Sequence, residues 1–195
     1  MNTTYRSYAI TVPATELALS LEDAREHLRL GDLRSDDKYL ITLIKAVTRS
    51  VEQYLGRALL TQTIRDTHDK FPPTSEAITL RIGPVQTITG ITYRDEAGDA
   101  QTVDSADYVQ DLSAAPARIG LAADATWPTT QNRIGAINIT YEAGYGDTPD
   151  TVPEDIRIAM KLILYDLYEN RADAVRKYPT AAESILAPYR IQQLS

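Results

Sequence analysis

The sequence predicts an α+β protein, a small helical bundle of three longer helices plus a short carboxy-terminal helix, with an inserted antiparallel β region. Two observations carry this. Apolar residues recur at helical spacing over residues 21–30, 40–55 and 156–168, and the stretch between the last two is rich in β-branched residues with two-residue alternation and Gly/Pro turns. The division expected is one domain, 1–195, with 20–60 and 150–189 helical, 61–147 a β-rich insertion, and 1–19 and 190–195 extended arms.

Taken in order, residues up to Leu19 are polar and interrupted by Pro13, and read as an arm. Ser20 can cap a first helix, with Asp23 placed to reach back. Leu21, Ala24, Leu28 and Leu30 form its apolar face, and Gly31-Asp32 ends it. A second helix starts near Ser35-Asp36-Asp37. Leu40, Ile44, Val47, Val51 and Tyr54 make its seam, widened by Ile41, Leu43 and Leu55, and Gly56 supplies a left-handed cap.

Strands are expected at 61–67, 78–82, 85–93, near Tyr108 and at 118–121, with a turn at Asp95–Asp99. Residues 113–132 read as a long excursion, of the kind that is functional or mobile. Ile137, Ile139 and Tyr141 alternate with Asn138, Thr140 and Glu142, the period of a half-buried strand. Gly144 and Gly146 then give a sharp exit, with positive φ expected at Gly144. Thr151 is the expected N-cap of the third helix, with Glu154 completing a capping box and Pro153 in the first turn. Ile156, Ala159, Met160, Ile163, Leu164, Leu167 and Tyr168 line one face, and the helix ends near Asn170-Arg171. A short helix from Ser184 to Tyr189 follows, capped by residues 179–183.

The chain has 195 residues, no cysteine and a formal net charge of −7. Disulfide frameworks and thiolate chemistry are thereby excluded, and assembly in a reducing cytoplasm is expected. No apolar run is long enough to span a bilayer, and Met1–Arg6 lacks the pattern of a secretory signal, so no membrane partner is expected. The acidic balance argues against a surface that grips DNA. It suits a channel wall along which DNA slides, and equally a protein merely kept soluble.

Catalysis has no candidate residues. His27 and His68 are the only histidines, and neither lies in a zinc-binding pattern. The acidic turn Glu142, Asp147, Asp150, Glu154 and Asp155 lacks the register of a calcium loop, and serves turn formation and a helix N-terminus. Gly144-x-Gly146 is too short for a dinucleotide loop. No catalytic residue, metal ligand or cofactor is expected.

Three segments resemble one family. Leu21, Ala24, His27 and Leu28 match an "L-x-x-A-x-x-H-L" opening helix. Leu55, Gly56, Arg57 and Leu59 match "L-G-R-x-L" at a helix end. Tyr141, Ala143, Gly144, Tyr145, Val152, Pro153, Ile156, Tyr168 and Arg171 match "Y-x-A-G-Y", "VP-x-x-I" and "Y-x-x-R". Together these resemble the head–tail connector (adaptor) proteins of long-tailed phages and phage-derived gene transfer agents. Residues 61–136 match nothing specific.

The resemblance implies a structural protein of the virion neck, not an enzyme. It implies a homo-oligomeric ring, expected to be twelve-fold, between the portal protein and a neck, stopper or tail-terminator protein. DNA would pass through without sequence-specific binding. Gly56, Arg57, Tyr141, Gly144, Tyr145, Pro153, Tyr168 and Arg171 would be its structural motif residues. Alternatives are another neck ring (head completion or tail terminator), a cytoplasmic oligomeric binding module and, more distantly, a hydrolase.

From Arg171 to Ser195 four basic residues face two acidic ones in an otherwise acidic chain. With its apolar anchors, this tail reads as a docking peptide or as a self-packed terminal helix. In such connectors the carboxy-terminal segment engages the portal, which makes Arg176, Lys177, Tyr178, Ile185, Leu186, Tyr189, Arg190 and Ile191 the candidate docking residues. A segment with its own cap and few core positions is expected to be dispensable for folding. Twelve tyrosines against one phenylalanine fit surfaces that are wet alone and buried in an assembly. Tyr5, Tyr8, Tyr178 and Tyr189 are the candidates for partner contact, and Tyr54, Tyr141, Tyr165 and Tyr168 for the core edge.

Overall fold

The computed structural model describes residues 6–31, 34–170 and 179–191. They fall into two compact units: the described parts of Met1–Pro13 and Gln62–Gly144 form one, and those of Ala14–Thr61 and Tyr145–Ser195 the other.

The first unit is all β. Its five-stranded antiparallel sheet has the order β1-β2-β8-β4-β5, built from β1 (Arg6–Val12), β2 (Gln62–His68), β4 (Val85–Arg94), β5 (Ala100–Thr102) and β8 (Ile137–Ala143). A three-stranded antiparallel sheet, β3-β7-β6, joins β3 (Ile78–Thr79), β6 (Tyr108–Asp111) and β7 (Arg118–Leu121). Strand β8 is central and has the expected alternation, with Ile137, Ile139, Tyr141 and Ala143 buried. It pairs with β2 on one side and β4 on the other, setting Tyr141 opposite both Ile64 and Ile88. Ile119 of the small sheet and Leu80 beside it are also buried. The Tyr141 hydroxyl accepts the Ile82 amide at 3.3 Å, so this large ring is buried with a partner.

The second unit is helical, with α1 (Leu21–His27), α2 (Asp37–Leu55), α3 (Glu154–Glu169) and α4 (Thr180–Leu186). Its core takes Ile44, Val47, Val51 and Leu55 from α2 and Ile156, Ala159, Met160, Ile163 and Leu164 from α3. Leu19, Ala24, Ala182 and Leu186 complete it. Ser20 caps α1 as expected: its hydroxyl oxygen accepts the Asp23 amide at 3.0 Å and its proton goes to Asp23 Oδ2 at 2.7 Å. Gly56 ends α2 with φ 66°.

The predicted architecture, a bundle of three longer helices with an inserted β region, is wrong. Only α2 and α3 are long. Helix α1 has seven residues because Arg29 and Gly31 both take positive φ and turn the chain away, and Arg25 fixes that turn through Asp37 and the Gly31 carbonyl, each at 2.7 Å. Eight strands in two antiparallel sheets stand beside four helices among the described residues. Nor are they a simple insertion, since the stretch expected as an arm supplies β1, paired with β2 from Arg6↔His68 to Val12↔Thr63. The third helix also starts differently. Thr151 lies in a 3₁₀ turn, its hydroxyl bonded to the Thr148 carbonyl at 2.6 Å, and Pro153 holds the cap position without a side-chain bond.

The exit from β8 depends on two glycines, Gly144 with φ 144° and Gly146 with φ 158°. A Cβ on Gly146 would stand 2.6 Å from Thr151 Cγ2. Gly146→Ala is therefore expected to cost about 1–3 kcal/mol. Gly90→Ala, where an added Cβ meets nothing within 4 Å, serves as the control and should leave the Tm close to wild type in thermal melts of both.

Candidate docking surfaces

The motif residues matched in sequence are far apart along the chain, and the fold brings several of them together. Gly56 and Arg57 follow α2, Tyr145 opens the segment after β8, and Tyr189 follows α4. Arg57 Nε donates to the Tyr189 carbonyl at 2.5 Å, and the Arg57 side chain also hydrogen-bonds Tyr145. Burial pushes the Tyr145 hydroxyl pKa up, an effect that the Arg57 cation opposes. The Ile191 amide donates to the Leu55 carbonyl at 2.8 Å, one of the acceptors a helix leaves open at its end. Ile191 Cβ lies 3.6 Å from where a Cβ of Gly56 would be, so glycine serves both the left-handed cap and the close approach of the tail. Tyr168 works elsewhere in this unit: its hydroxyl donates to Asp36 Oδ2 at 2.6 Å, tying the end of α3 to the start of α2.

Among the candidate docking residues, Arg176, Lys177 and Tyr178 lie outside the described residues, as does motif residue Arg171. Leu186 is fully buried in the helical unit, Ile191 is 7% exposed and Ile185 is half-buried against the same core. The Tyr189 hydroxyl donates to Asp155 Oδ2 at 3.0 Å, which raises its pKa. The Arg190 guanidinium sits 5.2 Å from the centroid of the Tyr54 ring. The segment thus packs on its own unit, and the burial of Ala182 and Leu186 argues against the expectation that it is dispensable for folding. Its apolar anchors fill core positions, while Tyr189 and Arg190 keep exposed atoms.

The acidic turn has a structural use. Arg157 bridges Asp150, at 3.0 Å, and Glu154. His27 packs edge-on to Tyr165, and its pKa is lowered by burial and by Lys161. His68 is buried beside Asp66, with Nε2 3.7 Å from Oδ2. Among the described residues no three His, Asp or Glu side chains group as metal ligands, and no helix is long and apolar enough to cross a membrane.

The sequence pattern of the family described as head completion protein matches residues 18–180. The chain belongs to the head completion protein family. The match spans both units, including residues 61–136, where the sequence resemblance found nothing specific. No curated protein matches the chain. Among solved structures, it is similar to a chain in the neck of an empty gene transfer agent (GTA) particle computed with C6 symmetry, with 26% identity, 97% of each chain covered and a TM-score of 0.81. It is also similar to a chain in the virion of a native GTA particle, with 25% identity, 96% of this chain and 97% of that one covered, and a TM-score of 0.80. A chain in the neck of a native GTA particle computed with C12 symmetry shares the fold, at 22% identity, 97% coverage of both chains and a TM-score of 0.79.

Two predictions follow from the helical unit. Leu186→Ala should cost about 2–5 kcal/mol, because the methyl groups removed leave a cavity in a fully buried site, and deletion from Thr180 onward should lower the Tm at least as far. Differential scanning calorimetry measures both. Asp23 gives the second. The Ser20 hydroxyl foremost, and then Lys161, hold its carboxyl below the ordinary 3.8 against the opposing effect of burial. A carboxyl pKa lowered on folding stabilises at neutral pH, and that contribution is lost as pH falls below 3.8 and through the folded value. The stability gap between wild type and Asp23→Asn should be constant near pH 7 and close in acid, as read from urea melts across pH.

Proposed function

We propose that the chain is a structural ring subunit of the neck of a tailed phage or gene transfer agent particle. In this role it closes the filled head and connects it to the tail. The observation that carries this reading is the likeness to a chain of a GTA particle neck over 97% of both chains, at a TM-score of 0.81. Family membership over residues 18–180 supports it independently. Membership of the head completion protein family favours head completion, a neck role beside that of the adaptor and compatible with the same ring. The chain is located in the virion, and its role there is structural.

Portal docking is assigned to the face around Tyr189 and Arg190, where a basic and an aromatic side chain keep exposed atoms on a firmly held segment. The ring is read as twelve-fold, with DNA passing through its centre past an acidic or neutral wall. A net charge of −7 supports passage without sticking. Because like-charged subunits repel, the isolated protein is expected to be a monomer or weak oligomer that closes its ring on the portal.

Native mass spectrometry of the isolated protein and co-sedimentation with portal-bearing heads test this. The expected outcome is monomer alone and a stoichiometric ring on heads. Failure to join heads would overturn the neck assignment. Arg190→Glu should weaken binding to heads more than Arg190→Ala, since reversal adds repulsion where an acidic partner faces it.

A further inference from the structure

The five-stranded sheet ends in two unlike edges. At one edge, β1 pairs with β2 and, among the described residues, with no other strand, leaving the other side of a seven-residue strand open. The apolar face of the sheet also runs on past its cover there. Tyr8 and Ile10 stand opposite Asp66 and Ile64, yet they are 41% and 48% exposed where their partners are 0% and 1%. An open, apolar edge strand is a template for another strand, and proteins that do not use one normally block it with charge or proline. Within β1, Tyr8 to Val12 contains neither.

Charge distinguishes this edge from the other. The β1 side bears Arg65, exposed opposite Ala9, and Arg81, whose guanidinium lies 5.6 Å from the Tyr8 ring centroid. No acidic residue occurs in the first 13 positions. At the far edge, β5 is exposed at all three residues, and the chain around it, Arg94 to Asp111, carries six acidic residues and one basic. Asp99 and Asp104 flank β5, both exposed.

We propose that β1 of one copy pairs with the β5 edge of the next copy, so that the five-stranded sheets of neighbouring subunits join head to tail. This rests on the ring reading above and names the contact that builds the ring. Subunits of a single cyclic ring meet through two different patches, which excludes β1 pairing with β1 across a two-fold axis. Two edges of one sheet, one apolar and basic and the other acidic, meet that requirement. Pairing also covers Tyr8 and Ile10 and satisfies the open backbone groups of both edges.

The chain has no native cysteine, so introduced thiols report one contact at a time. Assembled particles carrying Ala9→Cys with Gln101→Cys are treated with a short bismaleimide, whose reach tolerates a slip in register, and run on a denaturing gel. The expected result is a ladder of linked chains from the double variant and monomers from either single variant. Necks that hold a ring of the double variant but yield no ladder would overturn the proposal and leave the ring reading intact. Dimers from Ala9→Cys alone would overturn it too. Wild-type particles whose necks lack the chain would overturn the ring reading itself. Ile10→Asp is the second arm: it should melt like wild type and be lost from necks, and its retention at wild-type occupancy would refute the contact.

Discussion

Strand β8 is bonded along both edges, to β2 and to β4, and that double pairing constrains the β unit more than any other feature. A strand shared by two neighbours cannot slip by one residue without turning its whole buried row outward. Ile137, Ile139, Tyr141 and Ala143 therefore fix the faces of β2 and β4 as well as their own. Immediately beyond β8 come Gly144 and Gly146, whose backbone angles side-chain-bearing residues rarely adopt, and the chain passes into the helical unit. The most recognisable stretch of the sequence thus contains one of the three points where the chain crosses between the two units.

In the helical unit the corresponding constraint is polar. Arg57 holds the carbonyl of Tyr189 and the side chain of Tyr145, while Leu55 accepts the amide of Ile191. These bonds tie the end of α2, the start of the segment after β8 and the residues after α4 to one place. Leu186 secures the same segment from inside the core. The arrangement bears on the docking role proposed for this segment. A docking face on a held segment loses less conformational entropy on binding than a free peptide does.

The two units present surfaces of different kind. The helical unit offers Tyr189 and Arg190 on a segment fixed from within, and the β unit offers sheet edges of unlike charge and polarity. A subunit in a ring between other rings needs contacts to its neighbours and contacts to what lies above and below. The contacts proposed above fall on separate units, backbone pairing on the β unit and side-chain recognition on the helical unit, so that each is built from one element type.

Much of this was legible in the amino-acid sequence. The α2 seam, the Gly56 cap, the Ser20 N-cap, the β8 alternation and the glycine exit are local features, set by periodicity and backbone freedom within a few residues, and they stand where the sequence puts them. The motif segments also identified the kind of protein. What the sequence misjudged depended on contacts distant along the chain. Arg6–Val12 reads as a polar arm because a two-faced edge strand is recognisable only once β2 is beside it. Thr151 lost the cap position to Pro153 because its hydroxyl is engaged by Thr148. Leu186 and Ile191 read as available to a partner because nothing near them in sequence shows the core that buries Leu186 or the end of α2 that Ile191 meets. Local pattern thus determined which elements form. Burial and hydrogen bonding between remote segments decided which ends are free and which surfaces remain for partners.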